Sequence, residues 1–496
     1  MVAVCSHHFQ SGSSSSASTA PVAALKAPGA PEISERGAFL ALAALCTGLF
    51  ITMMDQTLVA VALPQIREDL DASINQVVWV SAVYLLAFAV PLLIAGRLGD
   101  RFGQRNVYLV GIGLFALGAV ACSLAPNIET LIALRAVQGV GASLANPQPL
   151  SVINRIFPRN RRGAAMGIWS AVAGSAGLFG PVAGGLLVGT VGWRWTFFLY
   201  LPLGLVCISL VALWVPKLPS VAGRIDFLSA AVSFVAVLAI VFSVQQGPDL
   251  GWPLWLWVLL VGGLNAFALF VRLQKTAQRR GTDALVPLEL FAYRNFSLGI
   301  FSVAMLGFTV YAVNLPIMLY LQEGAGMSAQ SAGVLMVPMA AVSMLVAPFI
   351  GRVADRVAPG RVSMLGFSSL ITSMVLFALF MLVEVPAAWM LLPLVLLGAA
   401  NGLSWSPNST ISMRDLPPHL VGAASGVYNT SRQVGAVLGA ASLGAVMQIA
   451  GRLTDFNNAM ASAMLFPVLF LVFGLIAVAN FRTDIRVTGA DSPARN

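Results

Sequence analysis

Long apolar stretches separated by short polar breaks run almost from end to end of this chain. A bilayer core takes about 20 apolar residues per helix. On that template fourteen runs appear, near 38–64, 76–98, 106–125, 128–153, 163–189, 194–215, 227–246, 252–272, 297–321, 328–350, 361–384, 387–411, 420–446 and 460–481. The pattern predicts an all-α integral membrane protein with fourteen transmembrane helices.

Two of the polar breaks repeat each other. Gly96-Arg97-Leu98-Gly99-Asp100-Arg101-Phe102-Gly103-Gln104-Arg105 returns 255 residues later as Gly351-Arg352-Val353-Ala354-Asp355-Arg356-Val357-Ala358-Pro359-Gly360-Arg361. Each lies between two apolar runs and must be a tight charged hairpin. A charged hairpin duplicated at that spacing implies two related halves in parallel, the plan of a rocking transporter. Six helices with their loops occupy residues 38–215 and cannot fill the 255-residue interval, so two further helices sit between the halves. The expected organisation is a disordered tail (1–36), a six-helix bundle (37–216), two inserted helices (217–273), a loop (274–296), a second six-helix bundle (297–482) and a tail (483–496). The two bundles are expected in a pseudo-twofold arrangement.

Composition agrees: 9% of the residues are charged and 58% hydrophobic, where a soluble domain carries roughly a quarter charged. The net charge of +9 raises the question of nucleic acid, and the positions of the charges answer it. When the first helix starts from the inside, 23 of the 28 lysines and arginines fall on one side, with both hairpins and both termini. Only Arg67, Arg194 and Arg452 fall on the other, and Arg135 and Arg432 lie within helices. That asymmetry assigns the basic side and both termini to the cytoplasm, in a plasma membrane expected to be bacterial, with no nucleic-acid partner. The longest internal loop, from Gln274 to Phe296, reads as a solvated, topology-fixing loop rather than a lipid or nucleic-acid patch. Residues 1–36 are rich in Ser, Ala and Pro and lack a signal peptide, so the first helix serves as its own insertion signal. Cys5, Cys46, Cys122 and Cys207 form neither a disulfide framework nor a metal cluster. No cofactor or metal is expected, and no nucleophile, base and acid cluster supports an enzyme.

Asp55 is the one carboxylate well inside an apolar run. It lies about 17 residues, or roughly 25 Å, along the first helix. An ionisable group at that depth faces a cavity or a partner and marks an ion or proton path; its alternative is to pin the first helix structurally. Arg135 is the clearest intramembrane cation, and Gln138 three residues on forms one polar stripe with it, facing the cavity. As partner to Asp55, Arg135 would hold that carboxylate ionised. Its alternative is to snorkel to the outer surface. Gly180-Pro181-Val182-Ala183-Gly184-Gly185 combines a lost helical hydrogen bond with small residues, which suits a pliable seal as well as plain close packing. In the first hairpin Asp100 is expected to cap the helix starting near Val421, as a latch with Gly96, Arg101, Gly103 and Arg105. The second copy, altered at Ala358, Pro359 and Gly360, is expected to be a weaker echo. Tyr311, Asn314, Asn401, Trp405, Asn408, Asn429, Arg432 and Gln433 either line a central cavity or bond helix to helix.

At these residues the chain resembles the major facilitator superfamily, and within it the fourteen-helix drug:proton antiporter branch. The Gly96 to Arg105 segment is similar to the loop 2-3 signature, Leu131 to Gly141 to the helix 4 motif, and Gly180 to Gly185 to the helix 5 antiporter motif. Met54-Asp55-Gln56-Thr57-Leu58-Val59-Ala60-Val61-Ala62-Leu63-Pro64 resembles the branch's helix 1 signature, and Trp193-Arg194-Trp195-Thr196-Phe197-Phe198 the start of its helix 6. The likeness covers roughly residues 38–482. Ala176 departs from a frequent Gly, and Tyr200 from a common Asn. The resemblance implies proton-driven export, with Asp55 and Arg135 in the coupling path and Gly180, Pro181, Gly184 and Gly185 as the antiporter hinge. The partners implied are protons, the lipid bilayer and an amphipathic, cationic or hydrophobic small-molecule substrate, handled by a monomer. A dedicated exporter of one endogenous metabolite, such as a siderophore, amino acid or self-made antibiotic, is the alternative. So is a non-transporting receptor or scaffold that uses the 274–296 loop.

Overall fold

The computed structural model describes residues 34–482 apart from 90, 158–160, 220–225, 281, 283, 355–358 and 418–419. Most of the tail expected over 1–36, all of that over 483–496, and Asp355 of the second hairpin lie outside the described residues. Ser34 caps the first helix, its hydroxyl accepting from the Gly37 N–H at 3.2 Å.

Among the described residues the chain is all-helical. The first six spans are α1 (Glu35–Asp69), α2 with α3 (Ile74–Ala89, Leu92–Phe102), α4 (Gln104–Ser123), α5 with α6 (Ile128–Ala145, Gln148–Ile156), α7 (Arg162–Thr190) and α8 with α9 (Arg194–Phe198, Tyr200–Trp214). The pair α10 (Phe227–Leu250) and α11 (Leu254–Thr276) follows. The last six are α12 with α13 (Arg294–Val310, Asn314–Leu319), α14 with α15 (Ala329–Leu335, Val337–Ala354), α16 (Pro359–Val383), α17 (Leu391–Met413), α18 (Val421–Leu453) and α19 (Phe456–Ala479). Thirteen spans are long and apolar enough to cross a membrane as they stand, and the α2–α3 pair, bent by 51°, makes fourteen.

The breaks inside spans fall at prolines that the apolar count passed over. Pro91 stands at the α2–α3 bend, Pro147 between α5 and α6, Pro316 just after the α12–α13 break, and Pro338 just after that between α14 and α15. Each lacks the N–H that would bond four residues back. At the α12–α13 break the Asn314 side chain donates to the Val310 carbonyl at 3.3 Å.

Both halves pack their helices in the same order. α1 lies against α7 and α9, α4 against α5 and α9, and α2 against α5; correspondingly α12 lies against α18 and α19, α16 against α17 and α19, and α15 against α17. This is the duplication that the repeated hairpins predicted. The inserted α10 and α11 pair with each other, and α10 also lies against α2 and α18 across the seam between the halves.

Charged contacts sort to two faces. One face holds the Arg155 to Asp100 contact at 3.4 Å, the Arg280 to Asp226 pair at 2.7 Å, the Glu35 to Arg161 pair and the Asn295 to Asp415 hydrogen bond at 2.7 Å. The opposite face holds Arg67, Arg194 and Arg452, the three cations that counting had set apart. The 274–296 loop lies against the arginine-rich face rather than standing free. Leu290 and Phe296 are fully buried, Arg97 donates to the Ala284 carbonyl at 3.4 Å, and the Gln274 side chain accepts from the Val286 N–H at 3.0 Å.

The apolar core tells which face is shut. Toward the opposite face a single cluster joins the halves, with Leu63, Ile66 and Val188 beside Val313, Met318, Met336 and Met447. Toward the arginine-rich face the clusters separate: Leu42, Ile153 and Phe157 belong to the first half, and Phe296, Leu420 and Ala424 to the second. The halves are therefore parted at the arginine-rich face and joined at the other.

Candidate functional site

Between the halves lies a cavity of about 1070 Å³, lined by residues of α1, α2, α5, α6, α7, α12, α13, α15, α17 and α18. It reaches toward the parted face at Trp169, Met413 and Ser425.

Behind its wall sits the most buried ion pair among the described residues. The Asp55 carboxylate on α1 has no exposed surface, and Arg135 on α5 is 1% exposed. Arg135 Nη1 donates to Asp55 Oδ2 at 2.8 Å and Oδ1 at 3.1 Å, and to Gln138 Oε1 at 2.7 Å. Gln138 Nε2 closes the ring by donating to Asp55 Oδ1 at 3.1 Å, while Arg135 Nε donates to the Val80 carbonyl at 3.2 Å. The guanidinium also lies 4.1 Å from the centre of the Tyr84 ring. Such a pair withstands burial only because hydrogen bonds surround it. Arg135 and Tyr84 form part of the cavity wall, and Asp55 lies behind them.

Arg135 therefore does not snorkel, and the expectation of Gln138 in the cavity lining is corrected. Gln138 is on the stripe with Arg135, as a three-residue step requires, but α1 meets that stripe and Asp55 takes up the amide. Tyr311, Asn314, Asn401, Trp405, Asn429 and Arg432 do line the cavity. Gln433, one position round α18 from Arg432, does not; it is fully buried, with neither amide atom hydrogen-bonded. Asn408 is also outside the lining and serves helix packing, accepting from Ser302 at 2.8 Å and donating to the Tyr428 hydroxyl at 3.0 Å.

Three lining groups were missed by sequence reasoning. Gln56 has both amide atoms buried and unbonded, Tyr84 has an unbonded hydroxyl, and Trp169 stands toward the parted face. A signal for Gln56 existed, since it follows Asp55 in a polar step within an apolar run.

The Gly180 to Gly185 segment lies within an unbroken α7 and faces two partners. Gly184 meets α1 at the Leu58 carbonyl, where an added Cβ would lie 3.0 Å away. Gly185 meets α14, where a Cβ would lie 2.8 Å from the Ala329 carbonyl, and Gly333 of α14 abuts the Pro181 carbonyl so closely that no Cβ fits. Beside this contact Arg67 pairs with Glu323 at 2.6 Å and Gln322 donates to the Val61 carbonyl at 3.2 Å. The segment is thus part of the closure at the opposite face.

At the first hairpin, Gly103 alone separates α3 from α4, with φ of +89°, which disfavours a side chain. Gly96 is inside α3, Arg101 is exposed, and Arg105 donates to the Ala212 carbonyl. The expected cap of α18 by Asp100 is not formed. The α18 start has no side-chain cap, and the Asp100 carboxylate accepts from Gln104 at 3.0 Å and Arg155 at 3.4 Å, both in its own half. The reason is that the halves are parted on this face.

Two repeated helical halves around a central cavity, shut at one face and parted at the other, define a multi-pass membrane transporter rather than an enzyme. The chain belongs to the Major Facilitator Superfamily, whose family model matches residues 45–440. It is 41% identical over 482 residues to an uncharacterized MFS-type transporter of Mycobacterium tuberculosis, covering 92% of this chain and 82% of that one. It is 34% identical over 422 residues to the multidrug resistance protein Stp of the same species (83% and 76% covered). It is 32% identical over 433 residues to the tetracenomycin C resistance and export protein of Streptomyces glaucescens (86% and 78% covered). Among solved structures, the POT family peptide transporter PepTSo superposes with a TM-score of 0.66 at 15% identity, over 90% of this chain and 98% of that one. That likeness concerns the fold alone.

Proposed function

We propose that this transporter is a proton-coupled antiporter that exports amphipathic or hydrophobic small molecules by alternating access. The observation that carries the reading is the buried Asp55, Arg135 and Gln138 ring directly behind the cavity wall. Protonation of Asp55 removes the charge that holds Arg135, so the ring has two arrangements and the cavity wall changes with it. The relatives add direction, since one is named for multidrug resistance and another for resistance and export. The arginine-rich face is assigned to the cytoplasm of a bacterial cell by the excess of basic residues. The observed state is then inward-facing and ready to load. The Pro181 and Gly185 contact is the closed outer seal, and Asp100 is the inner latch in its released position.

Everted membrane vesicles test this. An imposed pH gradient should drive accumulation of a substrate dye, and Asp55→Asn should abolish it while the protein remains in the membrane. Accumulation that persists unchanged in the presence of a protonophore would falsify the coupling. Asp100→Asn should slow transport several-fold, because it weakens the inner closure.

A further inference from the structure

We infer that the cavity selects organic anions bearing an aromatic ring, with Arg432 as the charged subsite and Trp405 and Tyr311 as the ring platform. This deepens the export reading and takes its physiological sense from it.

The argument begins with the charges on the wall. Among the described residues lining the cavity the only charged side chains are Arg135 and Arg432, with no Asp, Glu or Lys. Arg135 is neutralised by Asp55 at 2.8 Å. Arg432 has no carboxylate: among the described residues no ion pair or hydrogen bond reaches its guanidinium, and its Nε is buried without a partner. The wall therefore carries one uncompensated positive charge, in surroundings where an unpaired charge is costly.

The surroundings define what repays that cost. The Arg432 guanidinium lies 5.7 Å from the centre of the Trp405 ring, whose centre is 6.3 Å from that of Tyr311. Asn401 and Asn429 add amide groups to the same wall. A carboxylate, sulfonate or phenolate placed here gains a charge-assisted hydrogen bond from Arg432, and an attached ring packs against Trp405 and Tyr311. A cation of the same shape meets the opposite situation. It finds no carboxylate, faces the Arg432 charge, and finds the Trp405 ring already under a guanidinium.

The test compares 2-naphthoate with 2-naphthylmethylammonium, two probes with one ring and opposite charge. Binding to the purified full-length protein is followed at neutral pH by quenching of tryptophan fluorescence. The expected result is a Kd for naphthoate about tenfold lower than for the ammonium probe, the scale of one charge-assisted contact. Arg432→Gln should raise the naphthoate Kd about tenfold and erase the preference, while Arg432→Lys should keep most of it. Equal or tighter binding of the cation, no naphthoate binding by the folded wild-type protein, or a preference that survives in Arg432→Gln would overturn the inference. Because the readout is equilibrium binding, loss of proton coupling in vesicles would sink the export reading and leave this preference standing. Proton-driven efflux without an anion preference would do the reverse.

Discussion

Arg135 Nη1 stands 2.8 Å from Asp55 Oδ2 between two helices, with neither side chain more than 2% exposed. Arg432, the other arginine of the cavity lining, has no such carboxylate partner among the described residues. The two arginines should therefore respond oppositely to removal. Arg135→Ala leaves a buried carboxylate unpaired, at a cost of about 3–5 kcal/mol. Arg432→Ala removes a charge that no carboxylate compensates and that only the Trp405 ring faces, and should change stability by less than about 1 kcal/mol. Thermal unfolding in detergent should show a large drop in midpoint for the first and little for the second. A similar drop in both would mean that Arg432 has a partner of its own.

The closure at the opposite face rests on missing side chains. Gly333 faces the Pro181 carbonyl with no room for a Cβ, and Gly185 faces Ala329 in the same way. Gly333→Val should pry α14 from α7 and open the opposite face. An impermeant maleimide offered from that side should label a cysteine placed at Val61 several-fold faster in the Gly333→Val background. The native Cys46, Cys122 and Cys207 are buried, and replacing Cys5 by Ser in both backgrounds keeps the remaining native thiol out of the readout. Unchanged labelling would remove this contact from the closure.

The spans were legible because 20 consecutive apolar residues form a signal that little else produces. The face of each arginine was legible because insertion sorts basic loops. What the sequence could not give is which stripe meets which. Gln138 had to share a face with Arg135, but only the arrival of α1 decides that its amide meets Asp55 rather than the cavity. Asn408 and Asn401 lie two turns apart on α17, yet one bonds Ser302 and Tyr428 while the other lines the cavity. Asp100 failed for another reason: the halves are parted on its face, so its carboxylate meets Gln104 and Arg155 of its own half instead of the start of α18.

The inserted pair has a specific foothold on both halves. Asp249 at the end of α10 accepts from Asn75 of α2 at 2.8 Å and from Arg452 of α18 at 3.3 Å, so one carboxylate spans the seam between the halves. Arg452 and Asp249 are both substantially exposed, and an exposed pair contributes about 0–1 kcal/mol. Asp249→Ala should accordingly leave folding intact and shift the inward–outward balance by up to about fivefold toward the outward-open state. The Val61 cysteine reports this as a modest rise in labelling, smaller than that from Gly333→Val. If labelling stays at the wild-type rate, α10 is a passenger on the seam and not a clasp.

Asp226 gives the arginine-rich face a pH dependence of known sign. Its carboxylate caps α10, accepting from the Ser229 N–H at 3.0 Å and hydroxyl at 2.6 Å, and it pairs with Arg280 of the 274–296 loop at 2.7 Å. Burial pushes this carboxyl up, but the Ser229 and Arg280 hydrogen bonds outweigh it and hold the group below its ordinary value of 3.8. The folded protein thus binds this proton more weakly than the unfolded chain does. The stabilisation from Asp226 is fully present above the unfolded value and is lost as the pH falls through the lower folded one. In a thermal series the midpoint difference between wild type and Asp226→Asn should be constant from about pH 7 to 5 and shrink below about pH 4. Ser229→Ala, which removes one of the two groups that hold the carboxylate down but keeps the Arg280 pair, should reduce the plateau and leave its direction unchanged. A difference that grows on acidification would mean that burial, not hydrogen bonding, governs Asp226.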